Sequence, residues 1–123
     1  MTEDELKVRL KAFAIRIIKM VDVMPKTTSC QAIAKQIVRS GTSTAANYRA
    51  ACIGKSDRDF LNKLKIVQEE LDETLFWLEI IIDCEMFKEN KVLPLKEENI
   101  ELLKIINSSI NTTRRNMTTI PIR

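Results

Sequence analysis

Two stretches of this 123-residue chain carry residue types that could do chemistry. The first, Ser40-Gly41-Thr42-Ser43-Thr44, sets hydroxyls around a glycine, as a phosphate-cradling loop would. A P-loop needs GxxxxGK[ST], so that backbone N–H groups and a lysine converge on the phosphate. Gly41 has no partner glycine and no following lysine. The second stretch, Glu69-Glu70-Leu71-Asp72-Glu73, could in principle hold a divalent ion. On a helix such a run spreads around the surface at about 100° per residue, which suits a solvated or ion-paired face better. The chain contains no histidine. That removes the Glu-x-x-His pairs of di-iron bundles, most zinc sites, and the usual base of serine and cysteine nucleophiles. Cys30, Cys52 and Cys84 are scattered and form no CxxC pair, which points to reduced thiols packed as small hydrophobes. No catalytic residue, metal or cofactor is expected, and the chain is not expected to be an enzyme.

Those residues must be positioned by helices. Only two glycines and three prolines occur, too few for a turn-rich sandwich or barrel. Leu6, Leu10, Phe13, Ile17, Met20 and Met24 alternate steps of four and three, the seam of an amphipathic helix over 3–24. Thr2 and Glu5 offer a capping box at its start, and Pro25 breaks it. A second box, Thr28 to Gln31, predicts the next start, and Ser56 followed by Asp57 and Asp59 the third. Between them Ile33, Ile37, Ser40, Thr44, Asn47 and Ala51 keep the same stepping. The hydroxyl run is therefore read as helix, despite a cost of about 1 kcal/mol for an interior glycine. Its small residues would let a neighbouring helix approach closely, and Asn47 would need a hydrogen bond across the bundle.

The third helix is expected from Phe60 through Leu64, Val67, Leu71, Leu75, Leu78 and Ile82 to about Phe87. A loop over Lys88–Pro94 and a fourth helix from about Leu95 to Arg115, carrying Leu103, Ile106, Ile110 and Thr113, complete the reading. Short connections favour antiparallel neighbours, so the fold class is all-α, an up-down-up-down four-helix bundle. Residues 1–115 form one domain, and 116–123 are expected to fray. No apolar run reaches the roughly 18 residues needed to span a bilayer. The acidic start MTEDELK does not look like a signal peptide, so a cytoplasmic location is expected.

The net charge of +3 conceals an asymmetry. Residues 1–55 carry a net +6, residues 56–100 a net −6, and residues 101–123 a net +3. On the first helix, Lys7, Arg9, Lys11, Arg16 and Lys19 fall on the half facing away from the seam. On the second, Lys35, Arg39 and Arg49 lie within roughly 80° of one another, opposite the seam. They are the candidate nucleic-acid contacts, since a basic stripe can track a phosphate backbone. Tyr48 and Trp77 are the only Tyr and Trp, so base stacking has few candidates. The third helix has a second apolar stripe, Ile66, Trp77, Ile80 and Cys84, set among Glu69, Glu70, Asp72, Glu73, Glu79 and Asp83. The first helix has a back face of its own, with Val8 and Ile15 among cations. A second apolar face asks for a partner, and an acidic-apolar face meeting a basic-apolar one is a heterologous contact that closes into rings or runs on as filaments.

The segments QIVRSGTSTAANYRAA and DFLNKLKIVQEELDETLFWLE carry a resemblance that covers nearly the whole chain. Arg39-Ser40, Ala46 to Ala51, Asp59-Phe60, Lys63-Leu64, Glu70 and Trp77-Leu78-Glu79 are its most specific parts. The chain resembles the bacterial four-helix bundle proteins first noticed in intervening sequences of 23S rRNA genes. It is also similar in architecture to the accessory subunit of diversity-generating retroelements, which binds reverse transcriptase and nucleic acid. The resemblance implies an antiparallel four-helix bundle and a homopentamer with a central channel. Expected partners are thus further copies of the chain, with structured RNA or a nucleic-acid-processing protein as a lead. The alternative is a protein-interaction scaffold with no nucleic-acid role.

Overall fold

The computed structural model describes residues 1–54 and 56–118. Four helices follow one another: α1 (Glu3–Val23), α2 (Thr28–Cys52), α3 (Asp57–Asp83) and α4 (Glu89–Thr118). Each packs on its neighbour in sequence, and α4 returns to α1; α1–α3 and α2–α4 are the diagonal pairs, whose backbones stay apart while their side chains share one core. The α2–α3 contact is the most extensive and the α1–α4 contact the sparsest. The expected bundle is therefore the observed one. No strand occurs among the described residues, and no described helix is long and apolar enough to cross a membrane.

The helix starts follow side-chain chemistry. Thr2 accepts from Glu5 N at 3.1 Å while Thr2 N donates to Glu5 Oε1 at 2.9 Å, closing the expected box. Such a cap contributes about 1 kcal/mol. Its hydrogen bonds to the Thr2 backbone and hydroxyl hold the Glu5 carboxyl below its ordinary pKa. At α2 the cap is Thr27, which accepts from Cys30 N at 3.2 Å, in place of the expected Thr28–Gln31 box. The shift by one residue sets Cys30 into the core and leaves α2 with a single capping bond. Ser56 caps α3 by accepting from Asp59 N at 3.1 Å, as expected.

The α3–α4 connection differs from expectation. α3 stops at Asp83, four residues short of Phe87. Glu85 takes φ 53°, its N–H donates to Ile82 O at 3.0 Å, and Met86 N donates to Ile81 O at 2.9 Å. This is a Schellman stop with glutamate where glycine usually sits. α4 then begins at Glu89, and Pro94 lies inside it rather than ending a loop. A proline past the first turn removes one helical bond, at a cost of up to about 3 kcal/mol. Burying Val92 completely and Leu95 almost so contributes about 1.5–3 kcal/mol each, enough to offset it. Helix α4 continues through residues 116–118; the rest of the tail expected to fray, 119–123, lies outside the described residues.

Leu10, Phe13, Ile17, Ile37, Leu71 and Ile106 centre a core that also holds polar residues. Thr74 Oγ1 donates to Glu70 O at 2.7 Å and stands 2.8 Å from Ser40 Oγ, so α2 and α3 share a buried hydroxyl pair. Thr44 and Thr113 return their hydroxyls to their own helices. Fully buried Asn99 faces the α3 backbone, and with its amide nitrogen turned toward Leu71 O (3.1 Å) and its oxygen toward Leu75 N (3.2 Å) it bridges α4 to α3. Asn47 is a correction: it donates to Ser43 O at 2.9 Å within α2, not across the bundle, and Tyr48 occupies the core instead. Gly41 lies in mid-helix against α1, where an added Cβ would stand 2.7 Å from Ile17 Cδ1.

Candidate functional site

Helix α2 aims Lys35, Arg39 and Arg49 outward, but the three differ in partners. Arg39 reaches α3, where Nη1 donates to Glu70 Oε2 at 3.2 Å and Nη2 donates to Glu73 Oε2. Trp77 Nε1 donates to the same Glu73 oxygen at 3.1 Å. Hydrogen bonds from Arg39, then from Trp77, hold the Glu73 carboxyl below its ordinary pKa. The reciprocal bond from Glu73 raises the Arg39 guanidinium, which is cationic at any physiological pH in either case. Lys35 and Arg49 are exposed, and among the described residues neither has an ion-pair partner. Fourteen residues apart on one helix, they stand about 21 Å from each other along its axis. The stripe thus divides into two exposed cations and one tied into a surface network.

Tyr48 is buried, and burial first, then Cys52, pushes its phenol pKa up. It presents no face for base stacking. Burial likewise raises the Cys52 thiol, so Cys52 is not an activated nucleophile at neutral pH. Both side chains line a cavity of about 560 Å³ at the end where α1 and α3 begin. Its lining sets the α4 hydroxyls Ser108, Ser109 and Thr112 beside the carboxylates Glu3 and Asp57, and among the described residues no lysine or arginine lines it. Cys30 lies in the core, and Cys84 is exposed at the end of α3. The carboxylates of 69–73 divide their roles: Glu70 and Glu73 hold Arg39, while Glu69 and Asp72 are exposed.

The apolar faces expected to meet a partner are on the surface. Val8 is 69% exposed and Ile15 40% on α1, in line with exposed Lys11 and Lys19. On α3, Ile66 and Cys84 are exposed, while Trp77 and Ile80 are half-buried. Sequence reasoning missed Phe76, which is 50% exposed and packs edge-on against Trp77 at 5.0 Å between ring centroids. Phe76 precedes Ile80 by one helical turn, which is the spacing that marks it as part of the same face. Val23 and Ile18 extend the α1 face in the same way. Of the α1 cations, Arg9 is engaged within the bundle. Its Nε and Nη2 donate to the two Glu98 oxygens at 2.7 Å each, clasping α1 to α4. Because α1 and α3 occupy diagonal corners of the bundle, their outer faces look away from each other.

The model of the family described as 23S rRNA-intervening sequence protein matches residues 4–108, which takes in every candidate surface residue above. The chain belongs to that family. It is also similar to a crystal structure, at 1.70 Å resolution, of a protein with unknown function from the S23 ribosomal protein family of Bacteroides thetaiotaomicron VPI-5482. The two share 34% identity over 85% of this chain and 97% of the other, with a TM-score of 0.80. Comparison with curated proteins returned no match. The 23S rRNA-intervening sequence protein family thus accounts for the bundle, and neither likeness indicates an enzymatic activity.

Proposed function

We propose that this member of the 23S rRNA-intervening sequence protein family is a non-catalytic scaffold that assembles with itself into a closed ring in the cytoplasm. One observation carries the reading: the exposed faces of α1 and α3 are both apolar, opposite in charge, and set on diagonal corners of the bundle. A single copy cannot cover either face with the other. A neighbour can, and a contact between unlike faces repeats from copy to copy, closing into a ring where its rotation allows and otherwise running on as a filament. Native mass spectrometry tests this at micromolar protein. A single oligomer of defined stoichiometry, a pentamer by family resemblance, is expected; a monomer would remove the reading.

A second reading, association with structured RNA or a nucleoprotein, draws support from Lys35 and Arg49, which stand exposed without carboxylate partners among the described residues. A ring multiplies this sparse pair, so that weak contacts act together. Filter binding of a structured RNA should then weaken steeply with salt and should be lost in Lys35→Ala/Arg49→Ala. Arg39→Ala should alter stability more than retention, since its guanidinium already meets two carboxylates. Salt-independent retention would leave only the protein scaffold.

A further inference from the structure

We infer that Phe76 of one copy seats in a groove between α1 and α4 of the next; this rests on the self-assembly proposed above and names the surfaces that meet. The groove, of about 350 Å³, lies where α1 ends and α4 begins. Met20 and Leu95 form a buried floor, with Val23, 66% exposed, and half-buried Phe87 beside them. Arg16, Lys19 and Lys91 surround this apolar patch with positive charge. An apolar floor ringed by cations suits an apolar side chain ringed by carboxylates, and a bare phosphate would leave the floor wet.

The α3 face has that composition. At about 100° per residue, Glu69, Asp72, Phe76, Ile80 and Asp83 fall within roughly 80° of one another. Phe76 is the bulkiest residue in this set, and carboxylates lie one turn before it and two turns after it. In the groove its ring would meet the Met20 sulfur, the Phe87 ring and the flanking cations, contacts that favour an aromatic over an aliphatic side chain.

Height along the bundle agrees. The chain runs up α1, down α2, up α3 and down α4, so α1 and α3 finish at the same end, where α4 starts. Phe76 lies about 10 Å below the end of α3 and Lys19 about 6 Å below the end of α1, while Leu95 lies about 9 Å into α4. Copies related by rotation about an axis parallel to the helices therefore bring knob and groove to one level without sliding.

The test compares wild type with three variants of the full chain by native mass spectrometry and sedimentation, with circular dichroism to confirm folding. Phe76→Ala is expected to weaken assembly at least about tenfold. Lys19→Glu/Lys91→Glu should dissociate the oligomer, and adding Asp72→Lys/Asp83→Lys to that pair should restore it. An oligomeric wild type whose mass is unchanged in Phe76→Ala and in the charge reversal would overturn this docking and leave self-assembly standing. A monomeric wild type would overturn both.

Discussion

Gly41 shows how much one missing methyl group decides. Its place in the helix was legible in the sequence because the four-three stepping runs through it without a phase break. What it faces was not, since no local pattern names the residue across an interface. That residue is Ile17, fully buried, whose Cδ1 would stand 2.7 Å from a new Cβ. Gly41→Ala gains about 1 kcal/mol in helix propensity but overpacks a tight contact at a cost of about 1–3 kcal/mol. The balance lies between about neutral and a loss of about 2 kcal/mol, set by how far the Ile17 methyl can move in the core. Ile17→Val removes the clashing methyl, so the double variant should be more stable than the sum of the singles by at least about 0.5 kcal/mol; additive urea-unfolding energies would refute the contact. Glu73 gives a pH prediction. Its pKa is depressed in the folded state, so its contribution is present above the unfolded value, near about 4.3, and is lost as pH falls through the lower folded value. Wild type should therefore exceed Glu73→Gln in stability most at neutral pH, with the gap closing below about pH 4. A gap constant from neutral to acid would show that the Arg39 and Trp77 bonds do not act on the charge.

At the scale of elements, starts were easier to read than stops. Thr2 and Ser56 announce their helices through side-chain oxygens that only those positions need, and the sequence shows them. The end of α3 is hidden because Glu85, not glycine, adopts the left-handed conformation, and Pro94 misleads because Val92 and Leu95 hold its turn in the helix. The seams are misread where a polar residue takes an inward position. Thr74 is buried rather than Leu75, and Asn99 is buried as fully as the leucines beside it, because hydroxyl and amide find partners that periodicity cannot see. A non-glycine residue in the left-handed region costs about 1–2 kcal/mol, part of which glycine returns as unfolded-state entropy. Glu85→Gly should therefore stabilise the chain by about 0.5–1 kcal/mol, raising the thermal midpoint. Glu85→Val, β-branched at the same φ, should lower it; equal midpoints for the two would mean that φ at this position does not matter. Asn99→Asp tests the buried bridge. A carboxyl at this site has a raised folded pKa, so the variant should approach wild type well below about pH 4 and lose stability as pH rises, by several kcal/mol at neutrality.

Across the whole molecule, the order of the corners follows from short connections, but the unequal seams do not. The pair of helices that closes the bundle, α1 and α4, touches least, and a bidentate Arg9–Glu98 clasp supplies a strong polar link between them. Helix α3, by contrast, is held on both sides by the two most extensive contacts. Proteins open in cooperative units, and the unit with the least buried contact opens first. In a dilute monomeric form, such as the charge-reversed groove variant, α1 should therefore exchange its amide hydrogens through partial opening while α3 exchanges only on global unfolding. Arg9→Ala leaves Glu98 without its partner at the α1–α4 seam, so it should speed exchange along α1 and leave α3 unchanged. In the assembled wild type the same α1 amides should become protected, because the face carrying Val8, Ile15 and Lys19 then meets a neighbour. Equal protection of α1 and α3 in the monomeric form would show that the closing seam is no weaker than the rest. An α1 exchange rate indifferent to assembly would place the subunit contact elsewhere on the bundle.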